Sequence, residues 1–332
     1  DVRYSDRIYE NIKRNAVTAE IVPSGNGTKD AFGGAPFPLP KNGVEVIWNH
    51  QYSPNPFLTE GVVASGAVFN NGSISMRKQF ESRYFEVFDP KKTYETFSGT
   101  SARVLVEVTD PPREKGKVTL VHEFMDLTEL PRNAWQYLPG TRRVRRAPTI
   151  AYDFPDGPGG LRTVDDALAF IGATDRYDWK MEPSRELYIP YNNYEADSPA
   201  HKYAEILTVN HPNPDVMRYE LHRTWVVVGT LKEGKRHIYS KRRLYMDEDS
   251  WAALLADNYD SQGGLWRTTM RTSVNAYDMP GITARQEIYH DLQKGAYLLN
   301  NLVNEEGGVQ KIPAQNRPDD YYTPANLRVI GK

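Results

Sequence analysis

The 332-residue chain has no cysteine. This excludes disulfides, thiolate metal centres and a cysteine nucleophile together. It also has no apolar run of about 18 residues, so no helix is expected to cross a membrane. Charge is not biased to one sign: 41 basic side chains face 43 acidic ones, and the net charge is -2. The bulk electrostatic footprint of a nucleic-acid binder is therefore missing. A mean hydropathy of -0.64 is ordinary for a chain that folds in water.

Motifs that carry chemistry are scarce as well. The sequence contains no GxSxG elbow, no GxGxxG and no Walker pattern. Its seven histidines form neither HExxH nor a cluster at metal-ligand spacing, and His50, His122 and His222 fall on separate strand-like segments. Asp247-Glu248-Asp249 lacks the spacing of an EF-hand and reads as a turn. The expectation is a protein that is not an enzyme and has no cofactor and no metal. Carboxylate pairs of the glycosidase kind assemble only in space, so the sequence leaves them open.

What the sequence does contain is alternation. From Ile74, the residues Ile74, Met76, Phe80, Tyr84 and Phe88 share one face, and Arg77, Gln79, Glu81 and Arg83 the other. From Val216, Met217, Tyr219, Leu221, Trp225 and Val227 oppose Arg218, Glu220, His222 and Thr224. Further on, Trp266, Met270 and Val274 oppose Arg267, Arg271 and Asn275. A period of two marks strands with a dry side and a wet side. Turns such as Asn70-Asn71-Gly72, Glu114-Lys115-Gly116, Glu233-Gly234-Lys235 and Ser261-Gln262-Gly263-Gly264 separate these runs.

The pattern predicts strands over 44–50, 61–70, 73–89, 101–109, 117–125, 216–229, 236–247, 251–260, 264–277 and 284–291, joined mostly by short turns. Helices are predicted near the N-terminus, where Ser5 caps a stripe of Ile8, Ile12 and Ala16, and over Val164 to Ile171, between Thr163 and Gly172. The fold class is mainly β, a large antiparallel sheet that must curl, close or split to hide its apolar face. The expected organisation is one domain, 1–332. It comprises an N-terminal helix and Gly/Pro-rich connector (1–43), a curved sheet with a helical insert near 163–172 (44–302), and a C-terminal tail (303–332).

Two groups of side chains are candidates for contact with other molecules. If the curled sheet leaves a cavity, Met76, Phe80, Leu221, Trp225, Trp266 and Met270 are the apolar residues expected to line it; the alternative is that they form the dry core of a closed structure. Arg142, Arg143, Arg145 and Arg146 suit an anionic headgroup or a partner's acidic patch, the alternative being pairing with Asp and Glu of the sheet itself. The aromatic stretches Asp175–Trp179 and Tyr188–Tyr194 fit the lip of a pocket or an interface, or simple loop packing.

Several landmarks carry a resemblance: Phe32-Gly33-Gly34 with Pro36-Phe37-Pro38, Gly43 to His50, Trp135 to Pro148, Tyr152-Asp153, Asp175 to Trp179, Ile189 to Tyr194, Arg236 to Arg242 and Tyr245 to Trp251. In these the chain resembles the proteobacterial domain-of-unknown-function family 1329, the outer-membrane lipoprotein-sorting-like proteins. The unit from Tyr245 to Met270 is also similar to part of the periplasmic lipoprotein-carrier fold. The resemblance implies a strongly curved half-barrel with a few helices and loops against its concave face. It also implies a lipid-accommodating cavity and no assigned catalytic residues. The function expected on this basis is a periplasmic binding protein or carrier for a lipid or other hydrophobic molecule in the Gram-negative envelope. An interaction module docking on an outer-membrane protein or export pump is the alternative, and an enzyme acting on a lipid or glycan the third reading. A first residue of Asp rather than Met is what removal of a leader or trimming leaves.

Overall fold

Thirteen strands form one antiparallel sheet, which the computed structural model describes over residues 3–148, 150–277, 281–313 and 315–332. In chain order they are β1 (Leu58–Val68), β2 (Ile74–Tyr84), β3 (Thr100–Asp110), β4 (Val118–Phe124), β5 (Asn133–Leu138), β6 (Arg143–Arg146), β7 (Tyr177–Pro190), β8 (Tyr219–Leu231), β9 (Lys241–Asp247), β10 (Ala253–Tyr259), β11 (Leu265–Asn275), β12 (Ile282–Asp291) and β13 (Ala296–Leu302). Two meanders, β1 to β6 and β7 to β13, are joined where β13 pairs with β1. The edges β6 and β7 do not meet, so the sheet is an open half-barrel. Turn chemistry works as the sequence suggests: Gly72 (φ 81°) and Gly263 (φ 82°) take the left-handed backbone that ends one strand and starts the next.

Among the described residues four α-helices accompany the sheet: α1 (Asp6–Thr18), α2 (Gly43–Gln51), α3 (Tyr203–Ile206) and α4 (Pro324–Ile330). The strand predicted over 44–50 is in fact α2. Asn42 caps it, its side chain accepting the Glu45 N–H at 3.0 Å, while Glu45 accepts the Lys41 N–H at 2.7 Å. That reciprocal cap outweighs the β-branched Val44, Val46 and Ile47. The helix predicted over 164–171 is only a 3-10 turn, Val164–Asp166. Leu168 and Ala169 sit at φ 55° and 68°, which a helix cannot continue through. Strands β5, β6, β7 and β13 arise where the sequence pattern marks none.

Both faces of the sheet are covered around its centre. On one side α2 and the connector after β6 lie against it. Val46, Ile47, Ala169 and Phe170 pack on Val227, Leu244, Met246, Ala253 and Ala256, and Leu161 packs on Ala67, Tyr289 and Leu298. On the other side Ile206 and Leu207 cover Ala64, Val68, Ile288 and Leu299, while Tyr322 and Leu327 of the C-terminal segment cover Leu58, Tyr84, Leu105 and Leu120. The C-terminal segment is therefore a packing element rather than a tail. Burial of this kind is the main source of stability, worth about 25 cal/mol per Å2 of apolar area removed from water.

Facing departs from the expectation of one dry and one wet side. Arg267 and Arg271 are only 6% and 3% exposed, whereas Leu221 is 55% exposed and Ile74 and Tyr219 are also exposed. Tyr84 is buried as expected, and Met76, Phe80, Trp225, Trp266 and Met270 are half-buried. The physical reason is the cover. The connector offers carboxylates and backbone carbonyls to the α2 side of the sheet, so arginines can be buried there with partners.

Candidate functional site

The connector is clamped to the sheet by ions. Arg242, fully buried, reaches Asp165 Oδ1 at 2.6 Å and Asp166 Oδ1 at 3.0 Å; His237 Nε2 lies 3.0 Å from Asp165 Oδ2, and the Tyr239 hydroxyl donates to Asp166 Oδ2 at 2.9 Å. Burial opposes ionisation of Asp165, but the Arg242 and His237 partners outweigh it and hold the carboxyl well below the usual carboxylate range. Sequence reasoning places Asp165 and Asp166 in the first turn of a helix; the structure makes them the anchors of the connector.

Beyond this clamp, still on the α2 side, lies a cavity of about 1080 Å3. Strand alternation brings its sheet residues together. Thr59 pairs with Arg83 and Val63 with Gln79 across β1 and β2, and Arg271 pairs with Glu287 across β11 and β12. Val63, Phe85, Leu168, Val274, Val303 and Ile312 supply apolar wall. The buried Arg271 and Glu287 and the half-buried Arg83 supply charge, and Arg285 and Asp197 form an ion pair at 2.6 Å in the same lining.

Each charged group is held from behind. Glu287 Oε1 accepts the Leu168 N–H at 3.0 Å and Oε2 accepts the Tyr289 hydroxyl at 2.7 Å, with Arg162 Nη1 at 3.5 Å. Burial works against its charge, but Arg271, Arg162 and Arg83 prevail and hold its carboxyl below the ordinary range. Arg271 gives Nη1 to the carbonyls of Ala253 (2.8 Å) and Leu168 (3.1 Å), and Arg83 gives Nη2 to Glu81 at 2.6 Å. The Nε–H groups of both Arg83 and Arg271 are buried and have no hydrogen-bond acceptor among the described residues. Arg271 Nε faces Glu287 Oε1 at 3.7 Å. Guanidinium groups beside an apolar wall are chemically able to hold an acceptor-bearing, anionic group next to an apolar one.

None of the six apolar residues picked from the sequence lines this cavity. Met76 and Met270 pack toward Ile206 and Leu207 on the opposite side, Phe80 pairs with Val62 in the sheet, and Leu221 faces solvent. Trp225 stacks on Trp251 with centroids 5.9 Å apart, and Trp266 donates its indole N–H to Asp291 at 3.1 Å. Arg143, Arg145 and Arg146 lie on the edge strand β6 and Arg142 in the turn before it (φ 51°). All four are exposed, and among the described residues none makes an ion pair with Asp or Glu. Of the aromatic stretches, Tyr177, Trp179 and Tyr191 are buried in or beside β7, while Tyr194 lines the cavity. Sequence reasoning misses Val63, Arg83, Arg271, Glu287 and Val303. A faint signal exists in the repeated arginines on one strand face, at Arg267 and Arg271.

Comparison with known proteins places this geometry in a family. Residues 1–328 match the model of the family described as protein of unknown function (DUF1329). The chain is 42% identical, over 98% of its length and 71% of the relative's, to the uncharacterized protein PA3922 of Pseudomonas aeruginosa. Among solved structures, a DUF1329 family protein from Desulfovibrio piger superposes with a TM-score of 0.57 at 15% identity, covering 85% of this chain and 96% of that one. A protein described as an outer membrane lipoprotein-sorting protein domain, from Vibrio parahaemolyticus, superposes with a TM-score of 0.56 at 15% identity, covering 86% and 98%. These two likenesses concern the fold; the family match and the close relative establish that the chain belongs to the DUF1329 family.

Proposed function

We propose that this protein is a non-catalytic carrier or binding protein of the bacterial periplasm whose ligand is an amphiphile, an apolar body with an anionic head. The observation that supports this reading is the cavity of about 1080 Å3 whose lining joins apolar side chains to the guanidinium groups of Arg83 and Arg271. Such a volume reaches the upper end of small-molecule sites. In this reading a head bearing carboxylate or phosphate oxygens pairs with the guanidinium groups of Arg83 and Arg271, and the chain of the lipid lies along Val63, Val274, Val303 and Ile312. The half-barrel shared with a lipoprotein-sorting domain agrees with a carrier, as fold-level support only.

The test is native mass spectrometry with lipid extraction on protein purified from its own cell envelope, beside Val63→Phe and Val303→Phe. Bound lipid in the parent protein and its loss in both folded variants is the expected result. Ligand-free parent protein, or variants that keep their full complement, overturns the reading. A second reading rests on a separate observation, the four exposed arginines at the sheet edge, which have no acidic partner among the described residues. They suit docking to an acidic patch on an envelope protein. Arg143→Glu with Arg146→Glu abolishes capture of such a partner if they do, and leaves it unchanged if they do not.

A further inference from the structure

A second constellation lies far along the sheet, at the end of the β8–β9 hairpin. Pairing of Thr224 with Asp247 sets His222 beside the turn that follows β9. His222 Nδ1 is 3.0 Å from Asp247 Oδ1 and 3.8 Å from Asp249 Oδ2, and one donor atom from each of the three residues lies within 4.8 Å of the others.

The surroundings look built for holding these groups. Asp247 is fully buried, and its second oxygen, Oδ2, accepts from Ser250 Oγ (2.6 Å), Ser250 N (3.1 Å) and the Tyr191 hydroxyl (3.4 Å). Those bonds turn Oδ1 toward the histidine. The Tyr191 ring lies over the His222 ring with centroids 4.1 Å apart, and His222 Nε2 faces Glu220 Oε2 at 3.8 Å. Carboxylates behind the remote nitrogen of a histidine, and hydrogen bonds behind a carboxylate, are how first ligands are oriented in metal centres. Neither Asp247 nor Asp249 has a Lys or Arg within ion-pair distance among the described residues, although Asp247 has no exposure to water. A buried carboxylate with only a neutralisable imidazole for company is costly.

An independent observation points into the same spot. Tyr4, 6% exposed, has a buried hydroxyl with no hydrogen-bond partner among the described residues. Burial and the charges of Asp247 and Asp249 hold that hydroxyl protonated. The hydroxyl lies near enough to Asp247 and Asp249 to feel the charge of both.

We propose that His222 Nδ1, Asp247 Oδ1 and Asp249 Oδ2 bind a divalent transition-metal ion of the zinc class, with Tyr4 hydrogen-bonded to a water on the metal. One imidazole and two carboxylates leave a coordination position open and suit zinc-like ions, whereas calcium takes six to eight oxygens, which this pocket does not offer. The cation also removes the repulsion between the two aspartates. Sequence spacing hides the site because the end of β9 and the turn after it supply two ligands and the neighbouring strand β8 the third.

The test uses the full chain, stripped with chelator and titrated calorimetrically with zinc chloride at neutral pH. One ion per chain is expected, with binding weakened at least about tenfold in Asp249→Asn and in His222→Gln. The Asp249 side chain is 56% exposed, so that variant is expected to melt like the parent without metal. Calcium at equal concentration should not displace zinc. Absence of saturable one-to-one binding, zinc affinity unmoved in both variants, or displacement by calcium each overturns the assignment.

Discussion

Single buried ions decide how this molecule responds to acid and to substitution. His50 accepts the Ala253 N–H at Nδ1 (3.0 Å), and its Nε2 points at the carbonyls of Leu168 (3.0 Å) and Phe170 (3.1 Å). Carbonyls only accept, so the ring is the neutral Nε2–H tautomer, and a second proton would face an N–H. Burial, with the charge of Arg271 nearby, pushes the His50 pKa down to about 4. An unfolded histidine titrates near 6.5, so between those values the unfolded chain binds the extra proton and the folded one does not. Stability therefore rises with pH across that window and is lost as pH falls through it, by up to about 3 kcal/mol from this residue. Denaturant titrations at pH 7.5, 5.5 and 4.5 check this; a midpoint that does not move from pH 7.5 to 4.5 contradicts it. Arg242 has the opposite character, a charge buried in the clamp. Arg242→Ala leaves Asp165 and Asp166 buried without their cation and is expected to cost about 3–5 kcal/mol. The triple change Arg242→Met, Asp165→Asn, Asp166→Asn should recover much of that loss in thermal melts.

At the scale of elements, the sequence shows most of the sheet and little of what lies on it. Strands β1 to β4 and β8 to β12 are legible because alternation and Gly/Asn turns agree locally. The α2 segment shows how period alone misleads: Val44, Val46 and Trp48 alternate like a strand, yet Asn42 and Glu45 spell a capping box. The cavity is illegible for a different reason. Arg271 looks solvent-facing until Leu168, Ala253 and Glu287 arrive from other segments to receive it. The docking of α1 rests on close approach. Asn15 donates to the carbonyls of Phe32 and Gly34 at 3.0 Å each, and a Cβ on Gly34 would lie 2.8 Å from Ile12 Cγ1 and 3.2 Å from the Ile8 carbonyl. Gly34→Ala should thus lower stability by about 1–3 kcal/mol in denaturant titration. An unchanged midpoint would mean that α1 gives way freely.

For the whole molecule, covering both faces explains why apolar residues at Ala64, Ala67, Val68, Leu298 and Leu299 alternate so little in burial. A strand covered on both sides reads as a continuous apolar run, which is why β13 carries no period-two signal. It also explains how a half-barrel spares only part of one side for a ligand. The connector and α2 fill the rest, and the clamp around Arg242 fixes where the filling ends.

The junction of the two meanders has a kinetic consequence. Val68 pairs with Tyr297, and Ala64 with Leu302, so the first strand of the sheet waits for the last. Until β13 emerges, β1 has one open edge, and the pairing that unites the halves must close a loop spanning most of the chain. Long-range pairing of this kind slows folding. A chain threaded through a membrane from its N-terminus would stay unfinished, and so threadable, until nearly all of it had crossed. A circular permutant that starts at Tyr177, runs to Lys332 and continues through a flexible linker into Arg3 to Arg176, so keeping the connector and its clamp, shortens the chain between β13 and β1. It should refold faster than the parent in stopped-flow measurements while melting at a similar temperature. Equal refolding rates would show that closure of the junction is not the slow step.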